Sequence, residues 1–201
     1  MKKDVQDKLI ETATLLFAQK GFYAVSIREL ARTANVNSAL ISYYFGGKEG
    51  LYQKVLEEQF ILIAQMLKRF EESPSKSPTE AIITYAKNIS AIHDQRPYLT
   101  RFILSELINP TPCCEAVVKK NISNIFGFLH TTFKEGVTRG EFKANLDQDF
   151  ATVSLAGIMN FFFIAKPIFQ GFTSLEKTGE EYTVQALETF LNGILRRKDH
   201  E

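Results

Sequence analysis

S-I-R-E-L-A-R-T-A-N-V-N-S-A-L-I-S-Y-Y-F-G-G-K, running from Ser26 to Lys48, is the stretch whose reading decides the fold. Ser26 stands three residues before Glu29, the capping-box spacing that opens a helix. Ile27, Leu30, Ala31 and Ala34 follow at i, i+3, i+4 and i+7, so this helix buries one face. Asn35 falls where the chain must turn sharply, and Asn is one of the few residues besides Gly that tolerate a positive φ. Ser38 can cap a second helix, with Ile41 and Phe45 turned inward and Val36 in the turn. Ser38, Ala39, Ser42 and Tyr43 then face out, with Leu40 and Tyr44 on the edges. Gly46-Gly47 breaks this helix, and Lys48 opens a long one to about Glu71. At ~1.5 Å per residue that helix spans roughly 36 Å, enough to leave the head and enter whatever follows.

Before this stretch, Leu9, Ala13, Leu16 and Phe17 form an apolar stripe over residues 5–20, and Gly21 suits the end of that helix. Beyond it, E-S-P-S-K-S-P (Glu72–Pro78) is a loop by composition. Helical patterns then cover residues 79–94, 98–108, 114–138, 147–165 and 179–198. Pro97 suits a first helical turn, Pro110 and Pro112 follow a helix end, Asp147 is an N-cap, and Pro167 with Gly171 breaks the helix before them. Alternating strand patterns of useful length are absent. The expected fold is all-α: a three-helix helix-turn-helix head over residues 1–48 and a helical bundle over 49–201, about nine helices in all.

The bulk numbers set outer bounds. The 201 residues are 45% hydrophobic and 23% charged, a globular balance. Seventeen Phe and no Trp place many rings in the second part of the chain. Net charge is +1, but Met1–Gly50 carries seven Lys/Arg against five Asp/Glu, so the head is mildly basic. Cys113 and Cys114, the only cysteines, are adjacent and offer neither a disulfide framework nor zinc-site spacing, so no metal or cofactor is expected. Thiol chemistry at this pair would require exposure and a lowered pKa. The N-terminus is charged and amphipathic rather than leader-like, and the apolar run Leu155–Ala165 is shorter than the roughly 20 residues a bilayer needs. A cytoplasmic protein with no membrane association is expected.

A helix-turn-helix lays its second helix in the DNA major groove, which is about 12 Å wide and admits one helix with short side chains in front. Asn37 and Ser38 can bond base edges or phosphate, Ala39 and Leu40 can touch a thymine methyl, Ser42 is small and polar, and Tyr43 offers a ring and a hydroxyl. Ser26 and Lys48 stand at helix N-termini, where free N–H groups and the dipole favour phosphate.

The residues K-G-F (Lys20–Phe22), S-I-R-E-L-A (Ser26–Ala31), N-V-N (Asn35–Asn37) and I-S-Y-Y-F-G-G-K-E-G-L (Ile41–Leu51) together resemble the N-terminal signature of TetR-family transcriptional regulators. The resemblance covers residues 5–55, and the segment G-V-T-R-G-E-F (Gly136–Phe142) is similar to a connection found in many members. It implies backbone contact at Ser26 and Arg28, groove contact at Asn37, Ser38, Ala39 and Tyr43, and phosphate contact at Tyr44 and Lys48. The chain departs from the family pattern at Asn35, where many members have Gly, and at Ser42, where many have Tyr. The second departure leaves the role of Ser42 open.

The same resemblance implies a homodimer through the last two helices, where Val184, Leu187, Leu191 and Leu195 form a stripe and Gly157 and Gly193 would allow close approach. It implies a small-molecule effector, largely apolar or aromatic, held in the body. Candidate lining residues are Phe102, Phe126, His130, Phe133, Met159 and Phe162, with Ile103, Leu129 and Phe163 beside them. Effector binding would tilt the long fourth helix and release a near-palindromic double-stranded DNA operator. The competing readings are a helical protein-interaction module and a small helical enzyme. No catalytic triad, phosphate loop or paired-carboxylate motif supports the latter.

Overall fold

A computed structural model describes residues 2–169 and 178–196. Among the described residues it contains nine α-helices and one π-helical segment: α1 Lys2–Lys20, α2 Ile27–Ala34, α3 Ala39–Phe45, α4 Lys48–Glu72, α5 Pro78–Gln95, α6 Leu99–Ile108, the π segment Cys114–Lys119, α7 Lys120–Thr138, α8 Gln148–Phe169 and α9 Gly179–Ile194. The chain forms two compact units: residues 1–61 with 98–121, and residues 62–97 with 122–201. The first of these units carries α1 to α3, the part of α4 up to Ile61, α6 and the π segment.

The first unit is centred on aromatic rings. Phe17 meets Tyr52 edge-on at 4.9 Å, Phe22 lies 4.8 Å from Tyr52, and Phe102 of α6 completes the group at 6.1 Å. Leu9, Ala13, Leu30, Ala34, Ile41, Leu51 and Val55 close around them, each buried. Such ring pairs add about 0.5–1.5 kcal/mol each beyond the area they bury. The π segment replaces the ordinary first turns expected of a helix from residue 114, and it buries Cys114, Val117 and Val118.

In the second unit α5 packs against α8 and α9, which also pack on each other. Its helix starts carry the capping chemistry their sequences specify. Ser77 Oγ accepts from Glu80 N at 3.1 Å with Pro78 in the first turn, and Asp147 Oδ1 accepts from Phe150 N at 2.9 Å. Thr178 and Glu181 form a complete capping box. The Gly136–Phe142 connection folds back on itself. The Phe142 ring covers Gly136, where a Cβ would come within 2.2 Å of the ring, and Phe142 pairs with Leu195 in an isolated antiparallel bridge.

Three expectations change here. The helix of residues 147–165 runs on through position 167 to Phe169 instead of breaking at Pro167. Proline removes one N–H from the ladder, and the helix ends two residues later. Gly171 and residues 197–198 lie outside the described residues. Leu195 leaves the last helix for extended backbone at φ −61°, ψ 140°, so it does not continue the α9 stripe. Leu187, Leu191 and Ile194 are buried within their own unit, and of the predicted stripe only Val184 is strongly exposed. Finally, Gln148–Lys166 is long and apolar enough by composition to cross a membrane, although only a third of that window is buried.

Candidate nucleic-acid interface

The turn between α2 and α3 is built locally. Ser26 is extended at φ −98°, ψ 155°, and its Oγ accepts from Glu29 N at 3.1 Å, leaving the hydroxyl proton free to donate. The reciprocal half of the expected capping box is missing. Glu29 instead takes Lys20 Nζ at 2.5 Å, and this bond holds its carboxyl below the ordinary glutamate value. A full positive charge outcompetes a neutral backbone N–H for the carboxylate. Asn35 adopts φ 51°, ψ 52°, as its residue type permits, and the next N–H, from Val36, closes on Ala31 O at 3.0 Å.

The cap of α3 differs from expectation. Ser38 is already helical at φ −57°, ψ −29° and makes no cap bond, whereas Asn37 Oδ1 accepts from Ala39 N at 2.8 Å. The cap therefore occupies the carbonyl of Asn37 and leaves its amide group to donate outward. Ile41 is fully buried, but Phe45 is only partly covered, so the second inward anchor is weaker than its spacing suggests. Ser38, Ala39, Ser42 and Tyr43 are exposed, Tyr43 at 69%. Tyr44 is half-buried and meets the Tyr43 ring edge-on at 4.9 Å. Arg28 is exposed on α2. All of these residues lie within a single compact unit.

Lys48 is placed differently from a free surface cation. Its Nζ donates to the carbonyls of Phe22 and Val25 at 3.0 and 3.1 Å and lies 4.2 Å from the centre of the Phe22 ring. It clamps the connection between α1 and α2, with one ammonium proton left for another acceptor. Sequence reasoning also missed Gly50. A Cβ there would meet the Phe45 carbonyl oxygen at 1.8 Å, so only glycine lets the end of α3 rest on α4. The signal was present as the third glycine of G-G-K-E-G.

The residues predicted to line an effector site are distributed over both units. Phe102 is buried in the first. In the second, Phe133, Met159 and Phe162 are buried, with Phe162 stacked on Tyr182 at 4.3 Å. Phe126 and His130 are not interior: Phe126 is 38% exposed, and His130 stacks beside it and stands 3.5 Å from Asp149. A groove of about 810 Å³ in the second unit runs between the last turns of α4 (Ala64, Leu67, Lys68, Glu71) and α7 (Asn124, Gly127, Phe128, Thr131). Cys113 and Cys114 are both buried, and burial pushes the Cys113 thiol up to about 11. Neither has the lowered pKa that thiol sensing requires.

A short helix set at its N-terminus by a side-chain cap, with a polar exposed face behind a tight left-handed turn, defines a helix-turn-helix protein. Residues 9–55 match the model described as "Bacterial regulatory proteins, tetR family". "Probable HTH-type transcriptional regulator YttP" of Bacillus subtilis (strain 168) is 38% identical over 108 residues, 53% of this chain and 52% of that protein. The chain thus spans about half the length of this curated relative in the match. Among solved structures, the ketosteroid transcriptional regulator KstR2 of Mycobacterium tuberculosis has a TM-score of 0.77 at 17% identity, covering 96% of this chain and 95% of that one. The transcriptional regulator FadR from Bacillus subtilis, in complex with stearoyl-CoA, has a TM-score of 0.73 at 18% identity, covering 93% and 98%. Residues 9–55 thus match the TetR-family helix-turn-helix, and the chain shares its fold with these solved regulators.

Proposed function

We propose that this chain is a dimeric transcriptional regulator of the cytoplasm, a repressor in the usual manner of its family. It binds a near-palindromic operator through residues 1–48 and releases it when residues 49–201 take up a small molecule. The observation that carries the reading is the exposed face of α3, where Asn37 has a spare amide and Ser42 and Tyr43 point to solvent behind a family-matched turn. Ser26, Arg28, Tyr44 and Lys48 are the phosphate contacts in this reading. Asn37, Ser38, Ala39 and Tyr43 read the groove, and Ser42 lies among them.

Dimerisation is supported by a second exposed face. Phe150, Val153, Phe161 and Ile168 lie along one side of α8, from 58% to 74% exposed, and Gly157 sits in their midst with open space above it. Residues 150 and 168 are five helical turns apart and share one direction, so this is a continuous apolar stripe. Val184 on α9 is likewise exposed. An exposed stripe of this kind marks an interface, and a second copy aligns two heads on two half-sites.

Effector binding is supported by the stearoyl-CoA held by the FadR neighbour and by the groove between α4 and α7. The test is fluorescence anisotropy on the DNA upstream of the protein's own gene. Affinity should exceed that for scrambled DNA by at least about a thousandfold and fall steeply between 50 and 200 mM salt. Equal binding to both sequences at moderate salt would sink the reading.

A further inference from the structure

In the unit that carries the head, one acidic side chain lies wholly out of solvent. Glu106, in the last turn of α6, is 0% exposed. Tyr52 donates its hydroxyl to Oε1 at 2.7 Å, and Thr111 donates its backbone N–H and its hydroxyl to Oε2 at 3.0 and 3.1 Å. These donors are neutral, so hydrogen bonds alone compensate the carboxyl for its lost hydration. A buried carboxyl held this way is costly to strand, because removing a donor leaves an acceptor with no water to replace it.

The partner on α4 is central to the head. The Tyr52 ring is packed by Phe17 and Phe22, and burial followed by the Glu106 bond raises its pKa well above the ordinary tyrosine value. Tyr52 lies four residues after Lys48, on the same side of the helix. Lys48 in turn holds the carbonyls of Phe22 and Val25, just before the Ser26 cap. Two sets of polar bonds, one turn apart on α4, therefore tie α6 and the start of α2 to the first turns of α4, all inside one compact unit.

We propose that Glu106 is a positioning residue for DNA binding: by holding the Tyr52 hydroxyl, it fixes the first turns of α4, and with them the orientation in which α3 presents its exposed face. This rests on the DNA-binding reading above. A carboxyl serving only to plug the core would couple to affinity through stability alone.

The variants separate the two roles. Tyr52→Phe removes the bond across the helices and leaves the Thr111 closure intact. In Glu106→Gln the side-chain oxygen must face Thr111, whose N–H can only donate. The new amide then faces the Tyr52 oxygen, which can accept, so the bond across the helices survives with its direction reversed. The double variant lacks that bond but also lacks the stranded carboxyl group.

Operator affinity, melting temperature and DNA-free amide hydrogen exchange would be measured on all four full-length proteins. Tyr52→Phe should weaken operator binding about tenfold or more, the scale of leaving a buried acceptor without its donor. Glu106→Gln should stay within about threefold of the parent on the same scale. The double variant should recover part of the melting temperature lost by Tyr52→Phe yet remain as weak on DNA. Exchange over Leu51–Val55 should quicken wherever the Tyr52 hydroxyl is absent. Affinity that simply follows melting temperature across the four proteins, or unchanged exchange over Leu51–Val55, overturns the proposal. A parent protein with no operator preference overturns the DNA-binding reading instead, while the exchange comparison still decides whether Glu106 holds α4.

Discussion

Two helices of this molecule leave a face uncovered, and the faces are chemically opposite. α3 exposes Ser38, Ser42 and the Tyr43 hydroxyl, with the Asn37 amide at its start. α8 exposes Phe150, Val153, Phe161 and Ile168 around Gly157. A polar face with spare donors suits a wet, charged partner whose contacts are hydrogen bonds and phosphates. An apolar stripe suits a dry partner of matching shape, gained by burying about 25 cal/mol for each Å² of apolar surface. The two faces also differ in what backs them. α3 is seven residues long and rests on one fully buried side chain, Ile41, so its placement depends on its caps and on Gly50. α8 is 22 residues long and buries Ala151, Leu155, Met159, Phe162 and Ala165 beneath its exposed stripe.

The largest expected effect comes from spoiling the α8 face. Val153→Asp with Phe161→Asp places charges on the stripe without touching the core beneath it. Sedimentation should report a monomer, and operator affinity should fall by about a hundredfold or more through loss of two-site binding. A dimer that survives both substitutions would move the pairing surface elsewhere.

Below that comes an attack on α8 from its inner side. His93 is 5% exposed, with Nε2 3.0 Å from Asn160 Oδ1 and its ring stacked on Phe163 at 4.1 Å. Asn160 Nδ2 already donates to Ala156 O, so Oδ1 accepts and Nε2 carries the proton of a neutral ring. Burial lowers the His93 pKa from 6.5 to about 4. The unfolded chain therefore binds a proton between these values that the folded chain does not. Stability is fully present above about pH 6.5 and is lost as pH falls toward 4, by about 3 kcal/mol at most. Chemical denaturation at pH 7, 5.5 and 4.5 should show this slope, and His93→Gln should flatten it. An unchanged slope in the variant would assign the acid sensitivity to other groups.

The smallest effect belongs to the α3 face. Tyr43→Ala should leave the melting temperature within about a degree, because the side chain is 69% exposed, and should weaken operator binding by about tenfold with altered base preference. Equal weakening on every sequence would make Tyr43 a phosphate contact rather than a reader.

The helices of this fold were largely legible because their signals are local. The Ser26 and Asp147 caps and the left-handed Asn35 each depend on residues a few positions apart. What stayed hidden depends on competition or on distant partners. Asn37 rather than Ser38 caps α3, a choice between adjacent candidates that spacing cannot make. Glu29 pairs with Lys20 nine residues away instead of completing its box. Lys48 looked like a surface cation because nothing in its neighbourhood shows that the Phe22 and Val25 carbonyls lie within reach. The aromatic residues posed the opposite difficulty. Phe126 and Phe133 lie on one helix at the same spacing as any core pair, yet one is 38% exposed and the other 0%, a difference set by which neighbours arrive.

The π segment at Cys114–Lys119 has a consequence for comparing this chain with its relatives. A π turn holds one residue more than the α turn it replaces. Its surplus residue is absorbed inside a helix, with no loop to advertise it. An alignment that keeps the buried positions of α6 in step will therefore slip by one residue on α7 against any relative whose helix begins with ordinary α turns. The gap belongs within Cys114–Lys119. Placing it in the Pro110–Pro112 turn instead would set the Thr111 hydroxyl, and with it the clasp on Glu106, opposite the wrong residue of every such relative.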